Sequence, residues 1–77
     1  MTVYHFDYRC DGVLVVDAIG TALETFDEAR FEAVRALGDL MPDELQGPER
    51  RQMAIEVRMG DRAVLQVELT LEVRYIL

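Results

Sequence analysis

Residues 3–16 read Val3-Tyr4-His5-Phe6-Asp7-Tyr8-Arg9-Cys10-Asp11-Gly12-Val13-Leu14-Val15-Val16, and this stretch decides the architecture. Its first half alternates. Tyr4, Phe6 and Tyr8 fall on one side and His5, Asp7 and Arg9 on the other, the period-two pattern of a strand with one buried face. Asp11-Gly12 suits a two-residue type I′ turn, whose central residues both need positive φ. Closure by two residues predicts Tyr8 opposite Val15 and Phe6 opposite Asp17. Val13 and Val15 then join the aromatic side, the expected core face. Leu14 and Val16 land beside Asp7 and Arg9, on a face that otherwise reads as solvated.

Downstream, Asp17 and Gly20 frame a turn, with Leu23 able to pack beneath it. Thr25-Phe26-Asp27-Glu28 reads as a capping box, in which hydroxyl and carboxylate satisfy free amides at a helix start. The helix is expected to stop near Met41, before Pro42. At about 100° per residue, Phe26, Ala29, Ala33, Leu37, Leu40 and Met41 form one stripe, edged by Val34 and Ala36. Ala29 and Ala33 allow close approach to a sheet. Phe31 points well away from this stripe, which marks it as a candidate contact residue.

Pro42 to Arg51 reads as a polar connection punctuated by Gly47-Pro48, with Leu45 able to pin it and Arg50-Arg51 as its solvated end. A second hairpin follows. Met53, Ile55, Val57 and Met59 alternate with polar residues, as do Leu65, Val67, Leu69, Leu71, Val73 and Tyr75. Keeping both apolar sets on one face predicts Val57 opposite Leu65 and Met53 opposite Leu69, through a three-residue loop, Gly60-Asp61-Arg62. The third strand then runs out near Arg51, opposite Leu71. The alternation continuing through Val73 and Tyr75 suggests a strand that needs another partner.

The chain has 77 residues, 51% apolar and 30% charged, which fits one small domain over residues 1–77 rather than a disordered segment. Its net charge is −7 and all eight cations are arginine, so the basic stripe of a nucleic-acid binder is missing. No apolar run nears the roughly 20 residues of a membrane span, and no secretion signal is legible, so the expected compartment is the cytoplasm.

Candidate chemistry is sparse. His5 and Asp7 project from one strand face and could bind a metal or a small molecule or move a proton, but no second histidine exists to complete a tight site. The blander reading is a solvent-facing polar surface, on which alanine at either position shifts stability by less than about 0.5 kcal/mol. Asp39, Asp43 and Glu44 cluster without calcium-loop spacing. Cys10 has no lysine or histidine on its face to activate it. The row Tyr4, Phe6, Tyr8 reads as core rather than as a base-stacking platform, given the charge. No serine, lysine or tryptophan is present.

The run Tyr4-His5-Phe6-Asp7, Asp11-Gly12, Asp17 with Gly20 and Leu23, Glu28-Ala29-Arg30 with Ala33, and Ile55-Glu56-Val57-Arg58 resembles a family of short, uncharacterised bacterial proteins. That family is a domain of unknown function common in alphaproteobacteria, and the resemblance covers most of the chain. It implies the fold and no activity. The sequence departs from the family at Met59-Gly60-Asp61, where Asp usually precedes Gly. Residues 4–41 are more distantly similar to the HicB-type antitoxins.

The expected fold is α/β (α+β): two layers in the order β-β-α-β-β, a four-stranded, mostly antiparallel sheet in spatial order 2-1-3-4 with one helix on one face. The expected function is a non-enzymatic interaction or regulatory module acting as a homodimer, with no cofactor, nucleic acid or membrane partner. The candidate interface is Leu14, Val16, Phe31, Leu71, Val73 and Tyr75. A metal or small-molecule site on His5 and Asp7 and an antitoxin-like role are the alternatives.

Overall fold

The computed structural model describes residues 1–44 and 50–76. The elements are β1 (Thr2–Cys10), β2 (Val13–Val15), β3 (Thr21–Leu23), α1 (Phe26–Glu44), β4 (Arg50–Met59) and β5 (Arg62–Glu72). The sheet runs β2-β1-β4-β5, with β3 paired to the start of β1, and all pairings are antiparallel. Apart from β3 this is the expected fold and the expected strand order. The added strand is a correction: Thr21–Leu23, read as connection, pairs with Thr2–Tyr4. Three residues are too few for alternation to reveal.

The first hairpin closes as its turn chemistry requires. Asp11 and Gly12 have φ of 49° and 89°, and Tyr8 faces Val15. In the second hairpin the predicted register holds, with Val57 opposite Leu65 and Met53 opposite Leu69. The predicted loop does not. Met59 faces Arg62, so the turn is the pair Gly60-Asp61, with Gly60 at φ 57° as a type II′ turn requires of its first central residue. A two-residue turn alone would set Val57 against Val64 and rotate one apolar row out of the core. A β-bulge beyond Val57/Arg58 takes up Val64 and restores the in-phase faces.

One sheet face therefore gathers Tyr4, Cys10, Met53, Ile55 and Val57, all buried, with Phe6, Tyr8, Leu65, Val67 and Leu69 half-buried around them. Helix α1 lies over β4 and β5 and presses Ala29, Ala33 and Leu37 into this face. The methyl side chains at 29 and 33 set the close approach. Phe26, predicted in the stripe, is exposed instead: it is the first residue of α1, and burial along the stripe begins at Ala29. Val13 and Val15, predicted as core, are exposed too: one helix over β4 and β5 leaves β2 uncovered.

The capping box forms with one difference. The Thr25 hydroxyl accepts the Glu28 amide at 3.1 Å, while the Glu28 carboxylate accepts the Glu24 amide at 3.0 Å, one residue earlier than the reciprocal pattern. The helix also outruns its expected stop, passing Pro42 to end at Glu44. Proline there lacks the amide that would reach the Gly38 carbonyl, a loss of one bond in a helix that ends two residues later. Residues 45–49, including the predicted anchor Leu45 and the Gly47-Pro48 punctuation, lie outside the described residues. Strand β5 ends at Glu72, opposite Arg50, so the alternation through Val73 and Tyr75 does not continue as strand. A strand is defined by its ladder hydrogen bonds, and the described ladder stops at Glu72.

The helix face makes a direct prediction. Ala33→Leu should cost about 1–3 kcal/mol in urea unfolding through overpacking, whereas Val34→Leu, one position round, should change stability by less than about 0.5 kcal/mol.

Candidate functional site

The polar face of β1 was expected to be wet, and the structure corrects this: Asp7 is 7% exposed. Its Oδ2 accepts Arg58 Nε at 2.8 Å and its Oδ1 accepts the Asp17 amide at 2.9 Å. The second carboxylate is the hub of the connection. Asp17 Oδ1 accepts the Ile19 and Gly20 amides at 3.1 and 3.0 Å, an Asx turn, and Oδ2 accepts the Phe6 amide at 3.0 Å. The Asp17 carbonyl accepts His5 Nδ1 at 2.8 Å and Arg58 Nη2 at 3.0 Å. Two aspartates, one arginine and one histidine thus clasp the chain between β2 and β3 against β1 and β4.

Gly20 completes the clasp. It has φ 82°, and a Cβ there would stand 2.7 Å from Val3 Cγ1 and 3.0 Å from His5 Cε1. Only glycine meets both demands.

Burial pushes the Asp7 carboxyl up, but the Arg58 hydrogen bond, the Asp17 amide and the guanidinium charge outweigh it. The group titrates below the ordinary 3.8 despite the opposing charge of Asp17. Asp17 behaves alike: burial raises it, and the Gly20, Phe6 and Ile19 amides together with the His5 charge bring it below 3.8.

A second cluster ties the first turn to β4. Asp11 and Gln52 exchange two bonds at 2.9 Å, the Asp11 amide to the Gln52 carbonyl and the Gln52 amide to Asp11 Oδ1. Arg51 lies 3.2 Å from Asp11 Oδ2 and 2.8 Å from Cys10 Sγ. Arg51 is therefore a mostly buried strand residue, not the solvated loop end predicted, and Cys10 has a cationic neighbour that its own strand face did not reveal. Arg9 pairs with Glu56 at 3.1 Å on the open face. A shallow groove of about 130 Å³ lies beside them, lined by Arg9, Gln52, Ala54, Gln66 and Glu68. Small-molecule pockets usually span about 300–1,000 Å³, so this groove is undersized for such a ligand. Among the described residues, no three His, Cys, Asp or Glu side chains converge as a metal centre needs.

The candidate interface residues do not share one place. Leu14 and Val16 are exposed at and beside the terminal strand β2, and Phe31 is 67% exposed on the outer side of α1. Leu71 is half-buried at the end of β5, and Val73 and Tyr75 are exposed beyond it. What the sequence reading missed is the charge partnership of Asp7 and Arg58. These residues sit on different strands, and their contact follows from the β1–β4 register, in which Arg58 faces His5.

The fold and the clasp define a small two-layer α+β domain with a D-x-x-G turn at its centre. The chain belongs to a family described as a domain of unknown function (DUF6894), whose model matches residues 3–70. No curated protein and no solved structure matches it.

Breaking the clasp should be costly. Asp7→Ala should lose about 2–3 kcal/mol in urea unfolding, because Arg58 is left a poorly solvated charge, rather than the small shift of a surface change.

The acid response follows from the two lowered carboxyls. As pH falls through about 3.8 the unfolded chain takes up protons first. Their stabilisation is therefore complete at neutral pH, begins to fall near pH 4 and is gone once the folded-state values are passed. Asp7→Asn should flatten part of that slope in urea midpoints measured from pH 7 to pH 2.5.

Proposed function

We propose that this chain is a non-enzymatic protein-interaction module that works as a homodimer in the bacterial cytoplasm. The observation that carries the reading is a division of labour on the surface. The titratable groups of the first strand are engaged in the fold, Asp7 with Arg58 and His5 with the Asp17 carbonyl, while aliphatic side chains from Val13 to Val16 stand in solvent. Four consecutive exposed aliphatic residues at a sheet edge favour contact with another protein. A thin core favours sharing it with a second copy, and two-fold pairing is the commonest symmetry for small oligomers.

The metal or small-molecule reading built on His5 and Asp7 has less support, since both oxygens of Asp7 and Nδ1 of His5 already meet protein groups. The net charge of −7 disfavours nucleic acid and fits a protein partner. The likeness to HicB-type antitoxins over residues 4–41 is a special case of the same proposal, in which the partner is a toxin encoded beside this gene.

Light scattering on the full chain at about 100 μM, far above the dissociation constant of a functional dimer, decides the first part. A mass near twice the 8.8 kDa protomer supports the proposal, and the protomer mass alone contradicts it. Phe31→Asp should keep a native far-UV spectrum and alter stability by less than about 0.5 kcal/mol, as its exposure on α1 requires.

A further inference from the structure

We propose that β2 is the dimer seam: a second copy of this chain lays its own β2 antiparallel against it, about a two-fold axis through Val15. The inference rests on the homodimer reading and names its surface. Strand β2 is terminal in the sheet, and Val13, Leu14, Val15 and Val16 are 66%, 43%, 58% and 57% exposed. In a hairpin closed by two residues, Cys10 with Val13 and Tyr8 with Val15 form the hydrogen-bonded pairs. Leu14 and Val16 therefore direct their amides and carbonyls away from β1, toward an incoming strand.

Charge selects the occupant. The chain carries −7, so two copies repel wherever acidic surfaces meet, and Val13–Val16 carries no charge. The opposite edge is blunted: β5 alternates its apolar residues with Gln66, Glu68, Thr70 and Glu72.

Backbone geometry selects the register. Antiparallel pairing about a two-fold axis keeps each face of the sheet continuous, so Leu14 and Val15 are the two centres that match aliphatic to aliphatic. Centring on Leu14 joins Leu14 to Leu14 but sets Val16 against Gly12, a turn residue with φ 89° that cannot extend a ladder. Centring on Val15 sets Leu14 against Val16 of the second copy twice, so that both residues with outward amides and carbonyls are paired. On the helix side, Val13 and Val15 would then extend the half-buried Phe6 and Tyr8 into one apolar strip across the seam.

The test is single-cysteine crosslinking. Opposed residues in a non-hydrogen-bonded pair have Cα atoms about 4.5 Å apart, within the disulfide range of about 4.4–6.8 Å, whereas a diagonal pair is about 7–8 Å apart. Under mild oxidation Val15→Cys should give a covalent dimer at least fivefold more readily than Leu14→Cys, with the wild-type chain and its buried Cys10 as background. Val15→Asp should give the protomer mass in light scattering with an unchanged far-UV spectrum. A dimer that survives Val15→Asp, or Leu14→Cys crosslinking as well as Val15→Cys, overturns the seam while leaving the homodimer reading intact. A wild-type chain that is itself monomeric overturns both.

Discussion

The Asp17 carboxylate accepts three backbone amides, those of Phe6, Ile19 and Gly20, and its own amide is held by Asp7, which Arg58 in turn neutralises. The rest of the structure depends on this linkage. A two-residue turn places Asp17 opposite Phe6, where a simple hairpin would continue its ladder. The side chain takes over the Phe6 amide instead, and the freed backbone turns across the polar face of β1 toward β3. Without the clasp, β2 and β3 are strands of three residues each, below the length at which isolated pairing is stable.

The same linkage explains the uneven burial. The core is narrow: Ala29, Ala33 and Leu37 of α1 against Met53, Ile55, Val57, Tyr4 and Cys10. One helix covers β4 and β5, and the aliphatic residues of β2 remain outside. A short ladder to β1 and polar side chains, rather than cover by the helix, hold the β2 end of the sheet. An edge strand secured in this way stays in place while its outer backbone and side chains remain available. That combination is the physical basis of the contact role proposed for β2.

Much of this was legible in the sequence, and the reasons differ by element. The hairpin registers followed from Asp11-Gly12 and from the in-phase apolar rows, and the buried helix face followed from Ala29, Ala33 and Leu37. The bulge at Val64 was hidden because a three-residue loop gives the same register as a two-residue turn plus a bulge. Phe26, Val13 and Val15 were misjudged because periodicity reports which side a residue faces, not whether anything covers that side. Asp7 was misjudged because burial of a charge depends on a partner 51 residues away, and only the β1–β4 pairing brings Arg58 to it.

Amide hydrogen exchange at Phe6, Asp17 and Gly20 reports most directly on whether side chains hold this end of the sheet. Each of these amides donates to a carboxylate rather than to a ladder carbonyl. If the clasp is as central as the structure makes it, their protection should match that of the Ile55 and Val57 amides in the middle of the sheet. Exchange within a factor of about ten of the unprotected rate, under about 1.4 kcal/mol of protection, would contradict the account.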